Sequence, residues 1–299
     1  MIGQSLGLLS GLGFAGSTVF MRQAVFRTKE TATSVFVSII FGAIVFSLVF
    51  ALSGNTSQLA TASWQAITGL AGAGIIVFIF GTSLNYYSMK LIGANRTAPL
   101  LCLSTPVAVI IGITLMDEPF TWGLAFGVCS ITVGVVFIST ERSGSSAPDI
   151  ATTKADVVKG IATGISAGIC YGTGPVLAKM AIDEGNSPFT GLFISYVTAL
   201  LVMLIHRSIS HRLGDLIVFY KKAIAPMSIG GVSSSIAQIC RYISLDYIPV
   251  SVVLPLNAAG SLFTIPLSFI INRRIELFTW KIIAGAILVV GGVFLIFQV

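Results

Sequence analysis

Charge is what this chain has least of. Only 9% of its 299 residues are Asp, Glu, Lys or Arg, and 55% are hydrophobic; an ordinary soluble domain carries about 25% charged residues. That balance excludes a water-soluble globule. Histidine is nearly missing as well. His206 and His211 share one basic joint with no third ligand near them in sequence, so no metal site is expected. The four cysteines, Cys102, Cys129, Cys170 and Cys240, stand singly inside apolar runs. They give neither metal-ligand spacing nor a disulfide framework, and a buried free thiol acts as a small hydrophobe. No phosphate-binding P-loop occurs, so ATP does not drive the protein directly, and no cofactor is expected. Acidic residues stay at the ends of apolar runs or in the joints between them.

What fills the chain is hydrophobic runs, many of roughly 18 to 23 residues, the length a helix needs to cross a bilayer. They do not alternate apolar with polar residues, which argues against a β-barrel. Ten runs can be marked: 2–21, 32–52, 64–89, 97–116, 121–140, 160–180, 187–205, 223–247, 249–271 and 277–299. The expected fold is therefore an all-α integral membrane protein. The first run lacks a basic leader and is too long for a signal-peptide core, so no cleaved signal is expected. The net charge of +6 comes from Lys and Arg at run ends. It points to topology and the lipid bilayer, not to nucleic acid.

The second half repeats the first. Tyr86, Ser88, Ile92, Pro99 and Leu100 recur as Tyr242, Ser244, Ile248, Pro255 and Leu256. Glu118, Trp122, Gly127 and Gly134 recur as Glu276, Trp280, Gly285 and Gly292. Gly3, Gly7 and Gly11, four apart on one helix face, recur as Gly160, Gly164 and Gly168. A mixed-charge stretch with the Ser-Gly-Ser-Ser-Ala-Pro run at 143–148 reads as a linker. The expected organisation is a first five-helix unit over 1–140, a linker over 141–158 and a second unit over 159–299. Five is odd, so the second unit enters the membrane from the opposite face. Two inverted-topology repeats with a site between them are a transporter plan. One chain already holds both units, so a monomer would suffice; the oligomeric state stays open.

These residues, with Tyr87, the Gly93-Ala94 joint and Pro106, resemble the drug/metabolite transporter superfamily, of the ten-helix EamA type. The resemblance covers essentially the whole chain. It implies a secondary transporter of small metabolites, often an exporter of amino acids or similar compounds. It also implies a central cavity lined mainly by helices 1, 3, 4, 6, 8 and 9, with helices 5 and 10 as scaffold. No span holds an acidic residue well inside, which argues against the carboxylate proton relay of smaller multidrug members. A proton or the solute's own gradient remains as the energy source.

Polar residues inside the spans name a site. Thr82, Asn85, Tyr86 and Met89 fall at i, i+3, i+4 and i+7, one helix face. The matching face in the other half is Gln238, Arg241, Tyr242 and Leu245. Lipid disfavours such stripes, so they are expected to face each other across a wet cavity. Arg241 lies about six residues from the end of its run, roughly 9 Å along a helix. It either snorkels to headgroups or binds an anion such as a carboxylate or phosphate. Tyr171 (matching Phe14), Tyr196, Thr105 and Asn257 are further candidates. The favoured function is alternating-access transport of a small organic solute, anionic or zwitterionic. A flippase or transporter of a larger phosphate-bearing or lipid-linked solute is an alternative. A membrane-embedded enzyme would need paired His and Glu on facing helices, and a scaffold or receptor would need a sizeable soluble domain; neither is found.

The joints after runs 1, 3, 5, 7 and 9, together with Lys281 at the start of run 10, carry 15 of the 17 basic residues. Basic loops stay in the cytoplasm. Both termini are thus expected outside and the linker inside, in the plasma membrane, or the inner membrane of a two-membrane cell. The family resemblance implies the reverse, cytoplasmic termini.

Overall fold

The computed structural model describes residues 1–27, 31–54, 58–141, 153–209, 221–260, 262–263, 267 and 280–298. Residues 142–152 of the linker, 210–220 of the basic joint after run 7, most of run 9 beyond 260 and the Glu276 turn lie outside the described residues. Among the described residues thirteen α-helices and one π-helix follow in order: α1 (Ile2–Arg27), α2 (Thr31–Leu52), the single turn α3 (Gln58–Thr61), α4 (Trp64–Gly74), the π-helix Ile75–Gly81, α5 (Thr82–Ile92), α6 (Ala94–Leu101), α7 (Ser104–Leu115), α8 (Trp122–Glu141), α9 (Lys154–Asp183), α10 (Pro188–Ile209), α11 (Lys221–Tyr247), α12 (Val250–Ala259) and α13 (Trp280–Phe297). No strand occurs among the described residues. The chain is an all-α, multi-pass membrane protein. Among the described residues four segments are each long and apolar enough to cross a membrane: Ser34–Leu52, Trp64–Ile92, Lys154–Asp183 and Pro188–His206. Together with the other helices they fit a ten-span plan.

Local chemistry sets the boundaries. The Ser63 hydroxyl accepts the Ala66 amide and caps α4. Thr153 and Asp156 form a reciprocal capping box at the start of α9. Gly93, at φ 82°, makes the corner between α5 and α6. Run 4 is not one helix, as its apolar continuity predicts; it breaks between α6 and α7. Pro106 has no N–H for the Cys102 carbonyl, as the sequence implies. That carbonyl is not left bare, however: it accepts the Thr105 amide at 3.2 Å in a tighter turn. Run 9 also turns early, at Gly260, whose amide reaches the Asn257 carbonyl at 3.0 Å. Run 3 is interrupted too, by the π-helix.

The packing repeats as the sequence does. α1 lies along α11 and touches α12; α9 lies along α5 and touches α6 and α7. A Cβ on Gly3 would meet Ile248, and one on Gly160 would meet Ile92. Gly7 faces Leu256 and Ser244; Gly164 faces Leu100 and Ser88. Each contact is the copy of the other, so the glycine stripes let each half's first helix press against the opposite half. The pair α8 and α13 fixes the relation. A Cβ on Gly127 would lie 2.9 Å from the Gly292 carbonyl oxygen, and one on Gly134 would lie 2.6 Å from that of Gly285. Gly127 and Gly285 are repeats of each other, as are Gly134 and Gly292. Equivalent helices that meet antiparallel are related by a two-fold axis perpendicular to them. For spanning helices that axis lies in the membrane plane, so the halves are inverted.

The two membrane faces can be named from this. The terminal face holds Met1 and the loop joining α7 to α8. The linker face holds the start of α9. Trp64, Trp122 and Trp280 stand exposed at helix starts, where amphipathic rings anchor to the interface.

Candidate functional site

A cavity of about 390 Å³ lies between the two halves. Its walls come from α1, α5, α6, α7, α11 and α12, with two residues each from α2 and the π-helix and single contributions from α8, α9 and α10. That set includes every helix the family resemblance names. On α1 the lining runs from Gly11 to Met21, on α5 from Thr82 to Met89 and on α12 from Leu254 to Gly260. Each stretch lies nearer the linker face of its helix. The cavity is therefore displaced toward that face, while on the terminal side Gly3 packs against Tyr247 and Ile248 and Gly7 against Leu256.

Both broken helices turn at the cavity. Leu101, Cys102, Ser104 and Thr105 line it at the α6–α7 break, and Asn257, Ala258 and Gly260 line it at the end of α12. Backbone leaves helical geometry inside a membrane only where protein or a cavity satisfies it. Gly260 and Gly11 touch through their backbones: a Cβ on Gly260 would lie 2.3 Å from Gly11 Cα.

Arg241 carries the one charged side chain of the lining among the described residues. It is 7% exposed. Its Nη2 donates to Gln238 Oε1 at 2.6 Å, and its guanidinium carbon sits 5.2 Å from the centre of the Phe14 ring. The side chain thus points inward rather than out to the headgroups. Asp246 is exposed, and no ion pair to Arg241 forms among the described residues. Among the described residues Arg241 Nε has no hydrogen-bond partner, nor do Asn85 Oδ1, Thr105 Oγ1 and both side-chain polar atoms of Asn257. These four residues all line the cavity. Buried polar groups normally find partners; here five such atoms on the cavity wall have none among the described residues.

The remaining candidates divide. The Tyr171 hydroxyl donates to Thr82 Oγ1 at 3.4 Å and accepts from Asn85 Nδ2 at 3.3 Å, which joins α9 to α5 across the wall. Tyr86 and Tyr196 also line the cavity. Tyr196 lies between Phe46 and Phe78, with ring centroids 4.6 and 3.9 Å away, and it covers Gly42 of α2, where any Cβ would strike its ring. Tyr242 is placed differently. It is buried behind the wall, its hydroxyl 3.3 Å from that of Ser195, and it is absent from the lining. Residue-by-residue matching put it beside Arg241, but neighbours on a helix point about 100° apart. Nine of the ten candidates face the cavity.

Sequence reasoning missed Phe14 as the ring against the guanidinium and Ser234 as part of the lining. The second was legible. Ser234, Gln238 and Arg241 fall at i, i+4 and i+7 and extend the polar stripe by one turn. Phe14 gave no such signal, because one Phe in an apolar run is indistinguishable from its neighbours. No group of three metal-ligating side chains occurs among the described residues.

Known proteins agree with this architecture. A solved crystal structure of a protein superposes with a TM-score of 0.75 over 98% of this chain and 95% of that one, at 14% identity; at that identity the likeness concerns the fold. A relative from Synechocystis sp. (strain ATCC 27184 / PCC 6803 / Kazusa), the uncharacterized transporter sll1319, is 26% identical over 146 residues. That match spans 49% of this chain and 44% of the relative, under half of its length. The EamA-like transporter family matches residues 1–140 and again 158–298, once in each half. The chain belongs to the EamA-like transporter family.

Proposed function

We propose that this protein is a secondary transporter of a small organic anion, moved by alternating access between its two inverted halves. One observation carries the reading: a buried guanidinium with no carboxylate partner among the described residues faces a cavity rich in unpartnered polar atoms. Burying a cation is costly unless it is paired. A carboxylate on the solute supplies that pair, because guanidinium binds it through two parallel donors. The Nε edge is the free one. Asn85, Thr105 and Asn257 then serve the solute's other polar groups, and Phe14, Tyr171 and Tyr196 give it aromatic walls. About 390 Å³ suits a compact metabolite of amino-acid size.

The excess of basic residues in the joints on the linker side supports a cytoplasmic linker face in a plasma-membrane protein. The cavity, displaced toward that face, then loads from inside, and the direction is export. The test uses proteoliposomes loaded with a defined mixture of metabolite carboxylates and their uncharged amides. Mass spectrometry of the efflux should show one or a few carboxylates leaving faster than from protein-free vesicles, and no amides. Efflux of the amides alone, or of nothing, sinks the reading.

A further inference from the structure

We infer that Glu118 is the latch that holds the terminal face shut, so that its release accompanies opening toward that side. The inference rests on the alternating-access reading and adds a gating residue to it. Glu118 lies in the loop between α7 and α8, in the first half. Asp117 before it has φ 53°, a left-handed conformation that a residue with a Cβ rarely adopts. Glu118 is nevertheless 9% exposed. Its Oε1 accepts the Val250 amide at 2.7 Å and its Oε2 accepts the Ser251 amide at 3.0 Å. Those are the first two residues of α12, in the second half, and both are buried.

One carboxylate thus ties the halves together at a helix N-terminus, where orphan amides and the helix dipole favour negative charge. Gly112 makes room for it, since a Cβ there would sit 2.6 Å from Oε2. α12 is also a wall of the cavity through Leu254, Asn257 and Gly260. The tie is therefore placed to couple the terminal face to the site. Opening that face draws the start of α12 away from the α7–α8 loop and exchanges two amide bonds for water. A residue that only stabilised the fold would have no such dependence on which face is open.

The experiment needs no solute. Cys102, Cys129, Cys170 and Cys240 are replaced, and one reporter cysteine is placed either beside the latch by Ser251→Cys, where only the backbone is used, or in the cavity by Ser17→Cys. Labelling by an impermeant maleimide is timed in purified, monodisperse protein. Glu118→Gln, which keeps the shape and loses the charge, should speed labelling at position 251 by about tenfold or more, the worth of one charge-assisted bond. It should slow labelling at position 17 in the same protein. Gly112→Ala, which displaces the carboxylate without removing it, should act in the same direction and guards against a misfolded Glu118 variant. A faster reporter at 251 with position 17 unchanged means local fraying and overturns the inference, as does no change at either site in both variants. Because no transport is measured, a failed efflux assay and a failed latch are separate results.

Discussion

Ser244 donates its hydroxyl to the carbonyl of Gly3 over 2.7 Å, joining α11 to α1. Ser88 does the same to Gly160 over 2.8 Å, joining α5 to α9. The two bonds are copies at opposite membrane faces, and each holds a helix of one half to a helix of the other. They show the inverted repeat at the level of single atoms.

Ser244→Ala should lower stability by about 0.5–1.5 kcal/mol, the net worth of an ordinary hydrogen bond. Ser88→Ala should cost at least as much, because the Ser88 hydroxyl also meets Thr97 Oγ1 at 3.0 Å. The bonds sit at opposite faces, so the double variant should lose the sum. Thermal unfolding in detergent checks both. A double variant no less stable than either single one would contradict the independence of the two sites.

The glycine crossing of α8 and α13 gives a sharper contrast. Gly134→Ala places a Cβ 2.6 Å from a backbone carbonyl, whereas Gly291 has nothing within 4 Å of where its Cβ would be. Overpacking costs about 1–3 kcal/mol, so Gly134→Ala should lower the unfolding temperature measurably. Gly291→Ala should leave it unchanged or slightly raised, since alanine favours helix. Equal behaviour of the two would mean that α8 and α13 do not meet at these glycines.

How much of this was legible in the sequence depends on the residue. The repeat was, because the same glycines and serines serve the same contacts twice. The cavity stripe was, because helical spacing collects Thr82, Asn85 and Tyr86 on one face and Gln238 and Arg241 on its copy. The helix breaks at Cys102 and Gly260 were not. Hydrophobicity continues through them, and whether a proline bends or breaks a helix depends on neighbours far away in the chain. The burial of Glu118 was hidden for the same reason. Its partners Val250 and Ser251 are 132 and 133 residues away, so only the fold reveals that a turn acid is a cap.

Tyr171 and Tyr242 should part company. Tyr171→Phe removes a hydroxyl that lines the cavity and bonds Thr82 and Asn85. It should weaken solute binding. Tyr242→Phe removes only the bond to Ser195 behind the wall, so it should cost about 1 kcal/mol of stability and leave solute affinity alone. Affinity and unfolding temperature, measured on both variants, test the assignment. Equal loss of affinity would place Tyr242 in the site after all.

The proposed orientation rests on the basic joints and is open to labelling in intact cells. In a cysteine-free background, Lys154→Cys at the start of α9 should react with an impermeant thiol reagent only after the membrane is permeabilised. Glu141→Cys, at the end of α8, should behave the same way. Asp183→Cys, on the opposite face, should react at once. The reverse pattern would put the termini in the cytoplasm, as the family resemblance implies.

Arg241 is proposed to receive the solute's anionic group. The most direct measurement is ligand-induced stabilisation of purified protein by matched pairs, each a ring-bearing carboxylate and its uncharged amide. Ligand that binds the folded state raises its stability by mass action. At least one carboxylate should stabilise the wild type while its amide does not. Charge-assisted hydrogen bonds contribute about 1.5–3 kcal/mol each, so Arg241→Gln should weaken that binding by about one to two powers of ten. Arg241→Lys should restore only part of it, because a point charge replaces a two-pronged donor. Carboxylate and amide stabilising the wild type equally, or undiminished carboxylate binding in folded Arg241→Gln protein, would contradict the account.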